Sequence, residues 1–237
     1  VYDGVYQYED FNEVAPGVFQ LKPEIPNNTN ERANIKPGDP KLKDINGDGK
    51  VTAEDQTVIG HGLPIHTGGF TNNFEWKGFD LSIFFQWSYG NDVINYNRAR
   101  LESLDGRHLN QLATVKDHWT PRTTLADNTV VEGNYTNYLW AVNRGLSNIH
   151  TSREVEEASF LRLKNVQLGY RFPNKVLKRL HLSSLRMYIS AQNLYTWTSY
   201  TGYDPEVSTR NSAMTRGFDY SAYPKAKTFT FGVELAL

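Results

Sequence analysis

The sequence of 237 residues predicts an all-β fold built from antiparallel strands that are long enough to cross a bilayer. Apolar and polar residues alternate with a period of two in several segments, which is the pattern of strands with one apolar and one polar face. These segments are about nine to eleven residues long, the length of a tilted transmembrane strand. Short and long connections alternate between them, as in outer-membrane β-barrels.

The first predicted hairpin joins residues 68–76 to residues 79–88. Lys77-Gly78 separates the two segments and predicts a tight turn, because glycine supplies the backbone conformation that two-residue hairpin loops require. Only Phe84 breaks the alternation in the second segment. The apolar face of the hairpin consists of Phe70, Phe74, Trp76, Phe79, Leu81, Ile83, Phe85 and Trp87.

Three further strands are predicted at residues 165–172, 184–193 and 227–237. Leu161 and Leu163 stand in the opposite phase to the apolar residues of the segment that follows them. A β-bulge near Lys164 would bring both halves onto one face. In the last two strands the side chains expected to face lipid include Leu185, Ile189, Phe229 and Val233.

The connections predict the organisation of the chain. Residues 1–66 are interpreted as an extracellular loop segment, and residues 67–237 as barrel strands with extracellular loops 89–158 and 194–226. The last strand would then run inward and leave Leu237 in the periplasm. Five strands cannot close a barrel, and the chain opens on "VYDGVYQYED" as if it continued a longer one. We therefore expect the C-terminal part of a larger barrel, which does not fold alone.

The composition limits the classes of protein that fit. No stretch of 18 apolar residues occurs, so no transmembrane helix is predicted. The absence of cysteine excludes disulfides and thiolate chemistry, and a net charge of −1 does not favour nucleic acid. An aromatic content of 13%, with 14 Tyr, is typical of all-β surfaces and outer-membrane barrels.

The stretch "KDINGDGKVTAEDQTVIG" at residues 43–60 has the ligand spacing of a calcium loop. Oxygen donors stand at positions 1, 3, 5, 7, 9 and 12 of a twelve-residue loop, with glycine at position 6 and Asp in place of the usual final Glu. The alternative is a plain turn, because Asn-Gly and Asp-Gly are common turn pairs. The predicted ligands of a structural Ca²⁺ are Asp44, Asn46, Asp48, the carbonyl of Lys50, Thr52 and Asp55.

Aromatic residues in the loop 89–158 are candidates for contact with a ligand. Sugar rings stack on aromatic faces, although such residues also pack on each other or on a partner protein. The candidates for substrate contact are Tyr89, Tyr96, Trp119, Tyr138 and Trp140, together with Tyr135 nearby. Tyr195, Trp197, Tyr200 and Tyr203 instead suit the outer aromatic girdle of a barrel.

Six stretches, taken in order along the chain, resemble SusC/RagA-type TonB-dependent outer-membrane transporters. They are "PGDPKLKDINGDGKVTAEDQTVIG", "GGFTNNFEWKGFDLSIFFQWSYGNDV", "HWTP", "ASFLRLKNVQLGYRFP", "SLRMYISAQNLYTWTSYTGYDPEV" and "YPKAKTFTFGVELAL". The resemblance implies a barrel of about 22 strands that is plugged by an N-terminal domain. It also implies import of oligosaccharides or peptides, a SusD-like lipoprotein lid, and energy from the TonB complex through an N-terminal part that these residues do not include.

Two other classes of function fit parts of the sequence. A secreted, calcium-stabilised β-sandwich that binds glycans would also show alternating strands, but both faces of its sheets would be covered. A secreted hydrolase would need a pair of acids at a cleft, and the acids here stand in the calcium-type loop or at strand ends. No catalytic constellation is visible, so we expect a protein that is not an enzyme.

Overall fold

The structure, a computed structural model, describes residues 1–104, 110–145, 149–206 and 216–237. The predicted loops 89–158 and 194–226 therefore include residues outside the described ranges. In chain order the strands are β1 (Tyr2–Val5), β2 (Phe11–Ala15), β3 (Val18–Leu21), β4 (Pro40–Leu42), β5 (His66–Trp76), β6 (Phe79–Tyr89), β7 (Asp92–Asn95), β8 (Thr123–Thr124), β9 (Val130–Val131), β10 (Val155–Glu157), β11 (Phe160–Arg171), β12 (Ser184–Thr198), β13 (Phe218–Asp219) and β14 (Thr228–Ala236).

Strands dominate the described residues, which confirms the all-β class. The α-helices are short: α1 spans Tyr96–Leu101 and α2 spans Asn174–Leu180. Within the described ranges, no helix has the length and apolar character needed to cross a membrane.

The chain forms two compact units. The loop unit comprises Val1–Gly60 and Asn95–Val155, and the sheet unit comprises His61–Ile94 and Glu156–Leu237. The connection between β6 and β11 is thus divided between the two units.

The sheet unit contains a five-stranded antiparallel sheet in the order β14-β12-β11-β6-β5. All five predicted strands are confirmed. The β5–β6 hairpin turns at Lys77 and Gly78, whose φ angles of 47° and 89° suit a type I′ turn. Helix α2 lies in the connection between β11 and β12. Strands β10, β7 and β13 form a smaller sheet.

The predicted bulge is also confirmed. The register of β11 shifts between Leu163 and Asn165 against both of its neighbours, β6 and β12. Against β6, Lys164 is the extra residue, so the apolar residues on either side of it lie on one face. Against β12, the extra residue belongs to β12, between Gln192 and Tyr195. On the N-terminal side of the bulge, β11 continues to pair with β12 as far as Thr198. Strand β12 is therefore longer than the predicted 184–193.

The loop unit has its own small core. Tyr6, Phe11, Leu21 and Ile35 form one cluster of buried residues, in which Phe11 and Leu21 are paired across the hairpin of β2 and β3. The "PGD" turn and the "HWTP" stretch meet elsewhere in this unit, where a Cβ on Gly38 would lie 2.5 Å from the Trp119 ring. Gly38 also has a φ of 91°, so both the backbone conformation and the close approach require glycine.

Candidate functional site

One face of the five-stranded sheet is apolar, apart from His66 and Asn72 on the edge strand β5, which lie opposite Tyr89 and Ile83. Residues that are directly opposite in the register point to the same side, so the pairings assign each side chain to a face. The apolar face consists of Phe70, Phe74, Trp76, Phe79, Leu81, Ile83, Phe85, Trp87, Leu161, Leu163, Val166, Leu168, Tyr170, Leu185, Met187, Ile189, Ala191, Tyr195, Trp197, Phe229, Phe231, Val233 and Leu235.

This face is exposed. Ile189 in the interior of the sheet is 52% exposed, and Phe231 on β14 is 66% exposed. All eight side chains predicted to face lipid lie on it: Phe79, Leu81, Ile83, Phe85, Leu185, Ile189, Phe229 and Val233. A continuous exposed apolar surface of this kind marks an interaction site, such as a surface in contact with a membrane.

Aromatic side chains border the apolar face at both ends of the strands. Tyr195 and Trp197 lie at one end with ring centroids 4.7 Å apart, and Phe79 and Tyr170 lie at the other with centroids 4.6 Å apart. From Phe79 to Trp87 the strand spans roughly 26 Å at about 3.3 Å per residue, or about 20 Å after a tilt of about 40°. This is close to the ~25 Å apolar band of outer-membrane barrels between its aromatic girdles.

The other two residues predicted for the girdle lie beyond the strand. Tyr200 is buried, and its hydroxyl donates a hydrogen bond of 2.7 Å to Asp219. Burial and the negative charge of Asp219 raise the pKa of Tyr200. Tyr203 is 76% exposed.

The opposite face of the sheet is polar and carries a ladder of charges. Arg186 of β12 donates to Asp80 of β6 at 2.6 and 3.0 Å and to Glu234 of β14 at 3.1 Å. Gly169 of β11 lies beneath this ion pair, where a Cβ would stand 2.6 Å from the Asp80 carboxylate. The glycine therefore allows the charges to meet across the intervening strand.

A second charge cluster lies on the polar face near the other end of β11. Arg162 is 2% exposed and pairs with Asp204 and, at 3.1 Å, with Glu206. Lys164 and Lys225 also contact Glu206. Burial alone would raise the pKa of Asp204, but the hydrogen bonds and the charge of Arg162 lower it overall. The cluster fixes the "YDPE" stretch (residues 203–206) against the sheet.

In the loop unit, the calcium-type loop curls as its glycines allow. Gly47 and Gly49 have φ angles of 79° and 82°, and their amides donate to the two oxygens of Asp44 at 2.7 Å. Asp55 is buried and accepts from the amides of Thr52 and Ile45, each at 2.7 Å. These hydrogen bonds lower the pKa of Asp55.

The remaining predicted metal ligands lie along the same turn. Asp48 accepts from the Lys50 amide at 2.8 Å, and Asn46 accepts from the Asp48 amide at 3.0 Å. In the described part of the chain, no group of three His, Cys, Asp or Glu side chains is arranged to hold a metal ion.

The aromatic candidates for substrate contact are placed separately. Tyr89 belongs to the sheet unit and stacks on His66 with centroids 5.1 Å apart. In the loop unit Trp119 is 3% exposed and packs against Tyr8 and Tyr135. Tyr96 contacts His150 edge-on.

Tyr138 and Trp140 are brought together by a cation. The Arg153 guanidinium lies 5.1 Å from the Tyr138 ring and 5.3 Å from the Trp140 ring. Arg153 also pairs with Glu102, which is 1% exposed and accepts further hydrogen bonds from Arg98 at 3.2 Å, from Thr114 and from the Tyr138 hydroxyl at 2.8 Å.

Sequence reasoning missed this buried network. Only the i,i+4 spacing of Arg98 and Glu102 pointed to it.

No protein-family profile matches the chain. Over 241 residues it is 34% identical to TonB-dependent receptor P3 of Formosa agariphila, and the alignment covers 99% of this chain and 21% of the relative. The chain belongs to the TonB-dependent receptors of the SusC/RagA type. This receptor chain is also 30% identical to TonB-dependent receptor P39 of the same organism, with 98% and 24% of the two chains covered. It is 28% identical to TonB-dependent receptor SusC of Bacteroides thetaiotaomicron, with 85% and 18% covered.

Solved structures give the same family relationship. The RagAB peptide transporter matches this receptor chain with a TM-score of 0.58 and 31% identity, covering 72% of this chain and 17% of the other. The RagAB peptide importer in a closed-closed state gives 0.61 at 28% identity, covering 85% and 21%. The receptor chain thus spans about a fifth of the length of its curated relatives. The relatives are named as receptors and importers, in agreement with the prediction that the chain is not an enzyme.

Proposed function

We propose that these residues form part of the barrel wall and outer loops of an outer-membrane importer of nutrients. The observation that carries this proposal is the exposed apolar face of the five-stranded sheet, bordered by aromatic residues at both ends of its strands. Lipid would cover that face, and the polar face with Asp80, Arg186 and Glu234 would line the interior.

The edges of the sheet support a larger barrel. Among the described strands, β5 and β14 each pair on one side only within this sheet. An unpaired edge in lipid leaves backbone groups without hydrogen bonds, so further strands of the full receptor must flank both edges. We infer a barrel of about 22 strands, with the turn at Lys77-Gly78 and Leu237 in the periplasm and the long connections outside.

The relatives support a more specific proposal. SusC and the RagAB importer suggest that the receptor works with a SusD-like lipoprotein lid, and that a plug outside these 237 residues contacts the TonB complex. The RagAB chains are named for peptide import, so peptides are one proposed substrate class. Oligosaccharides, which the resemblance to the SusC/RagA family implies, are the other. Exposed rings at the outer end of β6 and in the outer loops, such as Tyr89 and Tyr138, are the proposed contacts for substrate or lid.

Uptake by whole cells tests the proposed transport. A strain that lacks the full-length receptor should lose uptake of fluorescent peptides or oligosaccharides, and the full-length gene should restore it. Restoration should also require a functional TonB. Uptake of both substrate classes that is unchanged by deletion would overturn the import proposal.

Co-purification tests the lid. Full-length receptor with an affinity tag, extracted from the outer membrane in mild detergent, should bring down one lipoprotein in about equal amount. An unrelated tagged barrel from the same membrane serves as the control. A receptor recovered without any lipoprotein under these conditions contradicts the proposed partner.

The soluble alternative is not favoured by the structure of the sheet unit. A glycan-binding sandwich buries one face of each sheet against the other. Here Phe229, Phe231 and Leu235 are each at least 60% exposed on the apolar face. An apolar surface of this extent would aggregate in water.

We also propose that the calcium-type loop binds one structural Ca²⁺. The ligand spacing and the two left-handed glycines support it, and a carboxylate oxygen that accepts one amide retains a lone pair for a cation. Full-length receptor stripped with a chelator should bind one Ca²⁺ per chain, with a Kd of about 10⁻⁴–10⁻³ M as in other extracellular modules. Binding should be measured by calorimetry.

The double variant Asp44→Asn/Asp48→Asn should lose this binding, because two of its three carboxylates become neutral. Asp127→Asn is the matched control, since Asp127 accepts the amide of Thr129 in a separate exposed turn. If the double variant binds Ca²⁺ as well as the Asp127 variant does, the loop is a turn and not a metal site.

A further inference from the structure

Helix α2 carries its cations on one side. Lys175, Lys178 and Arg179 have the i, i+3, i+4 spacing that places side chains on the same face of a helix. All three are exposed, whereas Leu177 on the opposite side of the helix is buried. Among the described residues none of the three cations has an ion pair. The segment 172–183, "FPNKVLKRLHLS", contains no Asp or Glu, so its charge is not balanced locally.

A fourth cation lies at the same end of the sheet. Lys77 is in the turn between β5 and β6, and the amide of Arg171, three residues before α2, donates to the Gly78 carbonyl at 2.8 Å. The Lys77 ammonium lies 4.8 Å from the centre of the exposed Trp76 ring, which belongs to the apolar face. A lysine in this position covers apolar surface with its stem and keeps its charge in polar surroundings. Lys77 also has no ion pair within the described ranges.

The start of α2 is connected to the apolar face by aromatic contacts. The Phe172 ring, two residues before the helix, packs edge-on against Tyr170 with centroids 5.1 Å apart. Tyr170 lies on the apolar face against Phe79, and a Cβ on Gly78 would stand 3.2 Å from the Tyr170 ring. The turn and the entry to α2 therefore both lie at the aromatic border of the apolar face.

Acidic side chains at this end of the described sheet belong to the other face. Glu75, Asp80 and Glu234 lie on the polar face, as the register shows. Arg186 binds two of them, and Arg171 lies 3.8 Å from Glu75. These acids are thus engaged on the polar face, while the four cations of the turn and of α2 keep their charges without an ion pair.

We propose that this basic cluster, Lys77, Lys175, Lys178 and Arg179, binds the anionic headgroups of phospholipids in the inner leaflet of the outer membrane. The proposal rests on the proposed barrel, in which this end of the sheet faces the periplasm. Lipid whose acyl chains cover the apolar face has its headgroup at the aromatic border, where the cluster begins. A layer of headgroups meets each cation separately, so the four charges need not converge on one site.

Native mass spectrometry of purified full-length receptor tests the proposal. The receptor is mixed in non-ionic detergent with equal amounts of phosphatidylglycerol and phosphatidylcholine that carry the same acyl chains, and the bound lipids are counted. Wild-type receptor should retain phosphatidylglycerol in preference. Each Lys or Arg near an anionic surface strengthens binding by roughly fivefold.

Removal of the helix cations should reduce this preference. Lys175→Gln/Lys178→Gln/Arg179→Gln should lower the ratio of bound phosphatidylglycerol to phosphatidylcholine by at least about tenfold, and Lys77→Gln should lower it by about two- to fivefold. Glutamine has nearly the helix propensity of lysine and arginine, so α2 is retained.

A second triple variant separates position from total charge. Lys36, Lys43 and Lys116 are exposed residues of the loop unit, and none has an ion pair in the described part of the chain. Lys36→Gln/Lys43→Gln/Lys116→Gln removes the same charge as the helix variant and should leave the lipid ratio unchanged.

The proposal is overturned if wild-type receptor shows no preference, if the helix variant keeps it, or if the loop-unit variant loses it equally. It is also overturned if the helix variant keeps the lipid ratio but no longer sediments with purified peptidoglycan, since the cations would then bind the carboxylates of that polymer. A receptor that restores uptake but has no lipid preference rejects this site alone. A receptor that prefers phosphatidylglycerol without restoring uptake rejects the import proposal alone.

Discussion

Phe231→Arg should destabilise the receptor by about 2–4 kcal/mol in lipid, the cost of an arginine near the middle of a bilayer on the outside of a barrel. Phe231 is 66% exposed on the apolar face and lies opposite Ile189, which in turn lies opposite Leu168. The guanidinium would replace an aromatic ring in the lipid contact. The measurement is the urea midpoint of full-length receptor refolded in vesicles, together with the yield of assembled protein in cells.

The adjacent residue is the matched control. Thr230 precedes Phe231 on the same strand, pairs with Ser190 and belongs to the polar face. Thr230→Arg should therefore change the midpoint by much less than Phe231→Arg. Leu235→Arg, close to the end of β14, should have an intermediate effect because the cost falls towards the membrane surface. Equal effects of Thr230→Arg and Phe231→Arg would contradict the assignment of the faces.

Glu102→Gln should destabilise the loop unit by about 3–5 kcal/mol, since removing one partner of a buried ion pair leaves the other charge uncompensated. Glu102 is 1% exposed, and Arg153 is 6% exposed. Gln also presents an amide N–H towards groups that all donate: Arg98, Thr114 and Tyr138. Hydrogen exchange of α1 and of residues 152–154 should accelerate at least a hundredfold.

An exposed pair provides the comparison. Glu13 pairs with Arg122 at 2.8 Å, and both side chains are about 40% exposed. Glu13→Gln should leave exchange in the loop unit nearly unchanged, because solvent screens that pair. The double variant Glu102→Gln/Arg153→Met should recover part of the loss, since it removes the orphaned charge. If the two single variants behave alike, the buried network is not a source of stability.

The same network predicts a dependence on pH. Burial alone would raise the pKa of Glu102, but hydrogen bonds from Thr114 and Tyr138 and the charge of Arg153 lower it overall. A carboxyl whose pKa is lowered by folding stabilises the folded state above its unfolded pKa, which is about 4.3 for Glu. That contribution should be lost as the pH falls through the lower, folded pKa. The protection of wild-type amides against exchange, corrected for the pH dependence of the intrinsic exchange rate, should therefore fall on acidification, while protection in Glu102→Gln should respond less.

The five long strands and the bulge were predictable because their causes are local. Alternation marks which face of a strand is apolar, and a change of phase between Leu163 and Val166 marks an inserted residue. Lys77-Gly78 likewise carries its turn conformation in two residues. The short strands of the loops were not predicted, because two to five residues contain too little of the pattern to be distinguished from an irregular segment.

The sequence by itself determined the strands of the sheet unit, the apolar face that they share and the relationship to SusC/RagA-type receptors. Each of these depends on the order of residues within short segments of the chain. Only the tertiary structure decided which distant charges meet. Arg186 pairs with Asp80 across 106 positions, Arg162 with Asp204 across 42, and Arg153 with Glu102 across 51. Such pairs form when strand register and loop packing bring buried charges together, and burial makes each charge require a partner. The sequence around a charged residue does not indicate which distant residue will form its ion pair.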